Sequence, residues 1–129
     1  HIKINQFRLN LWQKYYQSLE HLQEKQFIDL PTIPQNCIHN AHMFYLKVRD
    51  LKTRFKLIDH LKQNNISSVF HYVPLHTSVA GKKFGRFEGK DEFTTCESEK
   101  IIRLPMYFGL DSASIRKICK TIELFFKNS

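Results

Sequence analysis

Ile66-Ser67-Ser68-Val69-Phe70-His71-Tyr72-Val73-Pro74-Leu75-His76 reads as a β-strand that runs into a proline. The β-prone residues from Ile66 to Phe70 predict a strand extending to Tyr72. Strand side chains alternate faces, so His71 and Tyr72 are expected to point opposite ways. Pro74 fixes its own φ, blocks any helix that might continue through it and pushes Val73 toward an extended conformation. Two imidazoles and a phenol on a stiff strand exit make His71, Tyr72 and His76 the first candidates for a binding or catalytic edge.

Upstream, Ile4, Phe7, Leu11, Tyr15, Leu19 and Leu22 recur at three- and four-residue steps, with Trp12 and Tyr16 widening the stripe. That period predicts an amphipathic lead-in helix within residues 1–24. The prolines Pro31 and Pro34 mark a loop, and residues 41–48 read as another strand. Phe55, Ile58 and Leu61 predict a helix that Asn64-Asn65 ends. Downstream, residues 77–93 carry Gly81, Gly85 and Gly89 and read as a long mobile loop. Thr94-Thr95-Cys96-Glu97 offers a capping box for a short helix reaching Lys100. Residues 101–104 form a third strand stopped by Pro105, and the period from Ile115 to Phe126 predicts a last helix capped at Asp111 or Ser112. The order helix, strand, helix, strand, helix, strand, helix predicts one small α/β or α+β domain over residues 1–129, a short three-stranded sheet covered by helices.

The 42% hydrophobic content and eleven phenylalanines of the 129 residues argue against disorder. No apolar run approaches the ~20 residues of a membrane helix, so no membrane partner is expected. The first residues are polar, without the pattern of a secretory leader, and Cys37, Cys96 and Cys119 fit no disulfide framework. A cytoplasmic protein with reduced thiols is expected. His1 in place of a starting Met reads as a cut end of a longer chain.

The net charge of +8 favours anionic partners without choosing among them. His39, His42, His71 and His76 raise the idea of a metal, but no acidic residue neighbours either pair in sequence, and no metal is expected. Gly81-Lys82-Lys83-Phe84-Gly85-Arg86 joins flexible backbone to three cations. It lacks the order of a phosphate loop, so spacing leaves open both a diphosphate contact and a solvated basic loop. No nucleophile elbow occurs, and no cysteine adjoins a histidine. The residues alone therefore support a basic α/β module with a polar edge, for which binding of nucleic acid or another anion is one open reading.

Four segments, taken in order, add a resemblance. His39-Asn40-Ala41-His42-Met43-Phe44-Tyr45 resembles the strand opening the C-terminal domain of DegT/DnrJ-type sugar aminotransferases. The Tyr72 to His76 segment is similar to that family's Y-x-P-L-H element. Arg103-Leu104-Pro105-Met106-Tyr107 with Gly109-Leu110 resembles its LPLYPGL element, and Trp12-Gln13-Lys14-Tyr15-Tyr16 its lead-in helix. Phe84-Gly85 and Thr94-Thr95 bring the chain nearest, in resemblance, to members that make dTDP-4-amino-4,6-dideoxygalactose.

The resemblance implies a fold-type I enzyme dependent on pyridoxal 5'-phosphate and working as a homodimer. It implies transfer of the amino group of L-glutamate to C4 of a dTDP-4-keto-6-deoxyhexose, for surface polysaccharides such as lipopolysaccharide and enterobacterial common antigen. It implies no nucleic-acid partner. The cofactor's lysine and its carboxylate partner belong to the family's larger N-terminal domain, and nothing here resembles that lysine motif. The chain thus resembles the C-terminal small domain, expected to be inactive alone. By the same resemblance Tyr72 and His76 border the sugar; Lys82, Lys83 and Arg86 are candidates toward the nucleotide by their charge, since the family pattern fixes no cation there. The roles of His71 and His42 stay open, with His42 at a domain interface as one option.

Overall fold

The computed structural model describes residues 2–128; His1, read above as a cut end, lies outside them. The chain order is α1 (Ile2–Glu24), β1 (Phe44–Lys47), α2 (Leu51–Gln63), β2 (Val69–Phe70), a single 3-10 turn (Leu75–Thr77), α3 (Val79–Phe84), α4 (Thr94–Ser98), β3 (Ile101–Leu104) and α5 (Ser112–Lys127). The sheet order is β1-β3-β2, and both outer strands pair antiparallel with β3. This is the small three-stranded, helix-covered domain that the sequence predicts.

Alternation along the paired strands decides the layering. Phe44 and Leu46 of β1 stand beside Leu104 and Ile102 of β3, and all four are buried. Tyr45, Lys47, Ile101 and Arg103 take the other face and are only partly covered. The buried face meets the apolar stripes of the helices. Leu11, Trp12, Tyr15, Leu19 and Leu22 come from α1, Leu57 and Leu61 from α2, and Ile115, Ile118 and Ile122 from α5. Tyr15 is fully buried, stacks on Phe44 at 5.0 Å and donates its hydroxyl to the Pro105 carbonyl at 2.8 Å. That bond satisfies the one polar group the ring carries into the core.

Local capping sets the helix boundaries, and the sequence predicts those at Asp111 and Asn65 but not the one at Asp50. Asp50 accepts from the Thr53 amide at 2.7 Å to start α2, and Asp111 accepts from the Ser114 amide at 2.7 Å to start α5. Asn65, at φ 59°, closes α2 while the Ile66 amide reaches back to the Leu61 carbonyl at 2.9 Å.

Several expectations change. The first strand is Phe44–Lys47 rather than residues 41–48, because β3 pairs with those four residues alone. The second strand is two residues rather than seven, because the chain turns away from β3 after Phe70. Residues 77–93 are not wholly irregular, since α3 occupies Val79–Phe84. Ser78 caps it by accepting from the Gly81 amide at 2.9 Å, and Gly81 lets the Leu75 carbonyl come so close that a Cβ would sit 1.6 Å from that oxygen. The capping box at Thr94 does not form, because Glu97 is drawn away by Lys47 at 2.6 Å and Lys100 at 2.8 Å. Those two cations hold the Glu97 carboxyl down at about 2.

Candidate functional site

The polar residues of the β2 exit fall around two clefts that share no lining residue. His71 and Tyr72 line the smaller, about 200 Å³, with Phe93, Thr94, Glu97, Ser98 and Ile101. Their rings lie 4.4 Å apart, so they share a cleft instead of facing opposite ways. The alternation rule fails here because β2 has already ended at Phe70.

His71 has its Nδ1 buried without a hydrogen-bond partner among the described residues. Burial, with the positive charge of Arg103 and then His42 nearby, lowers its pKa below the ordinary 6.5. Its imidazole is therefore neutral at neutral pH and offers a free polar atom. Tyr72 is half-exposed, its ring available to a ligand. His42 sits apart from this cleft. It lines a neighbouring one with Arg103 and Val69, and its backbone and ring nitrogens both meet the Asn40 side-chain oxygen.

His76 lines a separate cleft of about 630 Å³ with Leu75, Ala80, Gly81, Lys82, Phe84 and Arg86. Its Nε2 is 2.7 Å from Asp91 Oδ2, and its ring stacks on Phe87 at 4.4 Å. A carboxylate can only accept, so Nε2 carries the proton. Thr95 donates its amide to Asp91 Oδ1 at 3.2 Å and its hydroxyl to Asp91 Oδ2. His76, Phe87, Asp91 and Thr95 thus form a clasp that ties the segment after α3 to the start of α4. Thr95 is the first and His76 a further cause holding the Asp91 carboxyl at about 2, against an ordinary 3.8. The depressed value means that the folded clasp prefers the carboxylate. Its contribution is complete above roughly pH 4, where the unfolded carboxyl is ionised, and disappears as pH falls toward 2. A carboxyl ¹³C titration is expected to place the Asp91 midpoint near 2; a midpoint at 3.8 would remove the clasp.

The predicted cations divide. Lys82 and Arg86 line the larger cleft, although Arg86 also pairs with Glu88 at 2.6 Å on an open surface. Lys83 does not line it and lies over the Phe84 ring at 5.0 Å. Among the described residues no three His, Cys, Asp or Glu side chains come together as a metal site. No described helix is long and apolar enough to cross a membrane.

Sequence reasoning missed Asp91, Phe87, Thr95 and Arg54. Asp91 is fifteen residues from His76, and its one local cue is an acidic residue shortly before a helix. Arg54 is buried in α2, donates to the Ser98 carbonyl at 2.9 Å and lies over Phe55 and Phe70 at 5.2 and 5.4 Å. It fixes the end of α4, and with it the floor of the Tyr72 cleft.

A model of the DegT/DnrJ/EryC1/StrS aminotransferase family matches residues 2–123. Among solved structures, the aminotransferase TlmJ from Streptoalloteichus hindustanus superposes with a TM-score of 0.84 at 16% identity, over 98% of this chain and 32% of that one. DesV from S. venezuelae gives 0.79 at 21% identity, over 95% and 32%. NtdA from Bacillus subtilis, solved with bound cofactor PMP, gives 0.77 at 20% identity, over 96% and 28%. At these identities the likeness shows a shared fold, and the chain spans about a third of each relative's length.

Proposed function

Because this chain belongs to the DegT/DnrJ/EryC1/StrS aminotransferase family, we propose that it is the C-terminal small domain of a nucleotide-sugar aminotransferase. In that reading the whole protein transfers the amino group of L-glutamate to C4 of a dTDP-4-keto-6-deoxyhexose. The product would be dTDP-4-amino-4,6-dideoxygalactose, destined for surface polysaccharide, and the enzyme would act as a cytoplasmic homodimer. The observation that carries the reading is the Tyr72 cleft: a half-exposed phenol beside a neutral imidazole with a free buried nitrogen, on a floor that Arg54 and Glu97 hold in place.

Pyridoxal phosphate supplies the electron sink for amino transfer when bound, and it needs a lysine to bond it and a carboxylate at its ring nitrogen. The two clefts do not meet those needs. Among the described residues the Tyr72 cleft has no lysine in its wall, and the larger one has Lys82 but no carboxylate. In this reading the residues that hold the cofactor lie in the rest of the enzyme, and this chain is inactive by itself. What this chain contributes is a wall. Tyr72 offers a hydroxyl and a ring face to the sugar, and His71 a polar contact beside it. His76 acts through the clasp, holding the segment that carries Arg86. Lys82 and Arg86, in the wall of the larger cleft, offer cations to the diphosphate.

The test is turnover of the full-length protein with dTDP-4-keto-6-deoxyglucose and L-glutamate. Tyr72→Phe, which removes one hydroxyl, is expected to lower kcat/KM by about tenfold, the loss of one hydrogen bond. Unchanged steady-state constants would remove Tyr72 from the site, and no amino-sugar product would remove the substrate assignment.

A further inference from the structure

A fourth concavity, about 570 Å³, shares no residue with the three clefts described above. It is lined by Lys25, Gln26 and Phe27 after α1, by Arg49, Lys52, Thr53 and Lys56 around the start of α2, and by Phe125 and Phe126 of α5. Four cations face it and, among the described residues, no acid does. The neighbouring carboxylate, Asp50, is occupied in capping α2 and pairing with Arg49 at 3.2 Å. Lys25, Lys52 and Lys56 enter no ion pair among the described residues.

We infer that this groove binds a nucleoside diphosphate. Like charges gathered around one concavity repel, and a multivalent anion relieves that repulsion. The backbone does not explain the preference: one helix begins here and two end, so helix dipoles do not favour an anion on balance. The side chains supply the attraction. Lys52 and Lys56 are one turn apart on α2, and Lys25 approaches from the end of α1. Arg49 is held by its Nε donating to Thr53 Oγ1 at 3.3 Å.

The apolar part of the lining narrows the ligand further than phosphate. Phe27 stacks on Phe126 at 5.3 Å with an interplanar angle of 16°, yet is 41% exposed. An open, ordered aromatic beside a cationic cluster is a platform for a base. Gln26 presents this ring from a left-handed backbone, φ 59°, where glycine is the unstrained choice. The volume suits one nucleotide rather than an extended strand.

The experiment is photolabelling of the intact protein with 2-azido-ADP, followed by peptide mapping. Label is expected on the peptides containing Lys25–Phe27 or Arg49–Lys56. ADP should protect about tenfold better than pyrophosphate, reflecting the base on Phe27. The Lys52→Glu/Lys56→Glu pair should cut labelling by about tenfold or more, and Lys25→Glu should do the same from a different element. All three lysines are exposed, so the variants should keep the circular dichroism of the parent. Label confined to residues 71–93, insensitivity to charge reversal, or equal protection by pyrophosphate would each overturn the assignment. None of these readouts depends on aminotransferase turnover.

Discussion

Phe44→Ala is expected to cost about 3–5 kcal/mol, a large part of the ~5–15 kcal/mol that stabilises a domain. Phe44 is fully buried on the core face of β1, stacks on Tyr15 at 5.0 Å and meets the edge of Trp12 at 5.4 Å. Truncation removes its transfer energy and opens a cavity between α1 and the sheet, which neighbours held by strand pairing cannot fill. Phe93, which is 73% exposed, is the control; Phe93→Ala is expected to change stability by no more than about 0.5 kcal/mol. Urea unfolding of both variants checks this. Equal losses would mean that the core is not where the burial pattern puts it.

Gly81→Ala should have the largest effect on the candidate site. A Cβ at position 81 would lie 1.6 Å from the Leu75 carbonyl oxygen, and that oxygen belongs to backbone. It accepts from the Ser78 amide at 3.1 Å and the Ser78 hydroxyl at 2.7 Å, so it cannot swing aside alone. The 3-10 turn and α3 must separate, at a local cost of about 1–3 kcal/mol for the enforced repacking. The larger cleft loses its shape, because Leu75, His76, Gly81 and Lys82 all line it. Hydrogen exchange is expected to rise across residues 75–93 while the core of α1, α5 and the sheet stays protected. Unchanged exchange in that segment would show that the close approach is not required; a rise throughout the chain would show that the segment is not separable from the core.

How much of this was legible beforehand differs from element to element. The stripe from Leu11 to Leu22 and that from Ile115 to Ile122 announce α1 and α5, because helical period is written in neighbours three and four residues apart. The cap at Asp111 is equally local. The length of β2 was not legible. A β-prone run is a strand only where a partner exists, and β3 offers partners to Val69 and Phe70 alone. α3 stayed hidden among glycines, because its start depends on Ser78 and on the Leu75 carbonyl against Gly81.

The sequence by itself determined the core: two long amphipathic helices, a third ended by Asn64-Asn65, and strands whose alternation buries Phe44, Leu46, Ile102 and Leu104. It also supplied the residue types of the site, Tyr72, His71 and His76, by their setting before and after Pro74. Only the tertiary structure decided their partnerships. It put His71 with Tyr72 in one cleft and His76 with Asp91 beside another, and it gathered Lys25 after α1 with Lys52 and Lys56 of α2 around one groove. The reason is physical: periodicity and capping act over a few residues of backbone, whereas His76 meets Asp91 only after fifteen residues of chain have been folded back by α3 and Gly81.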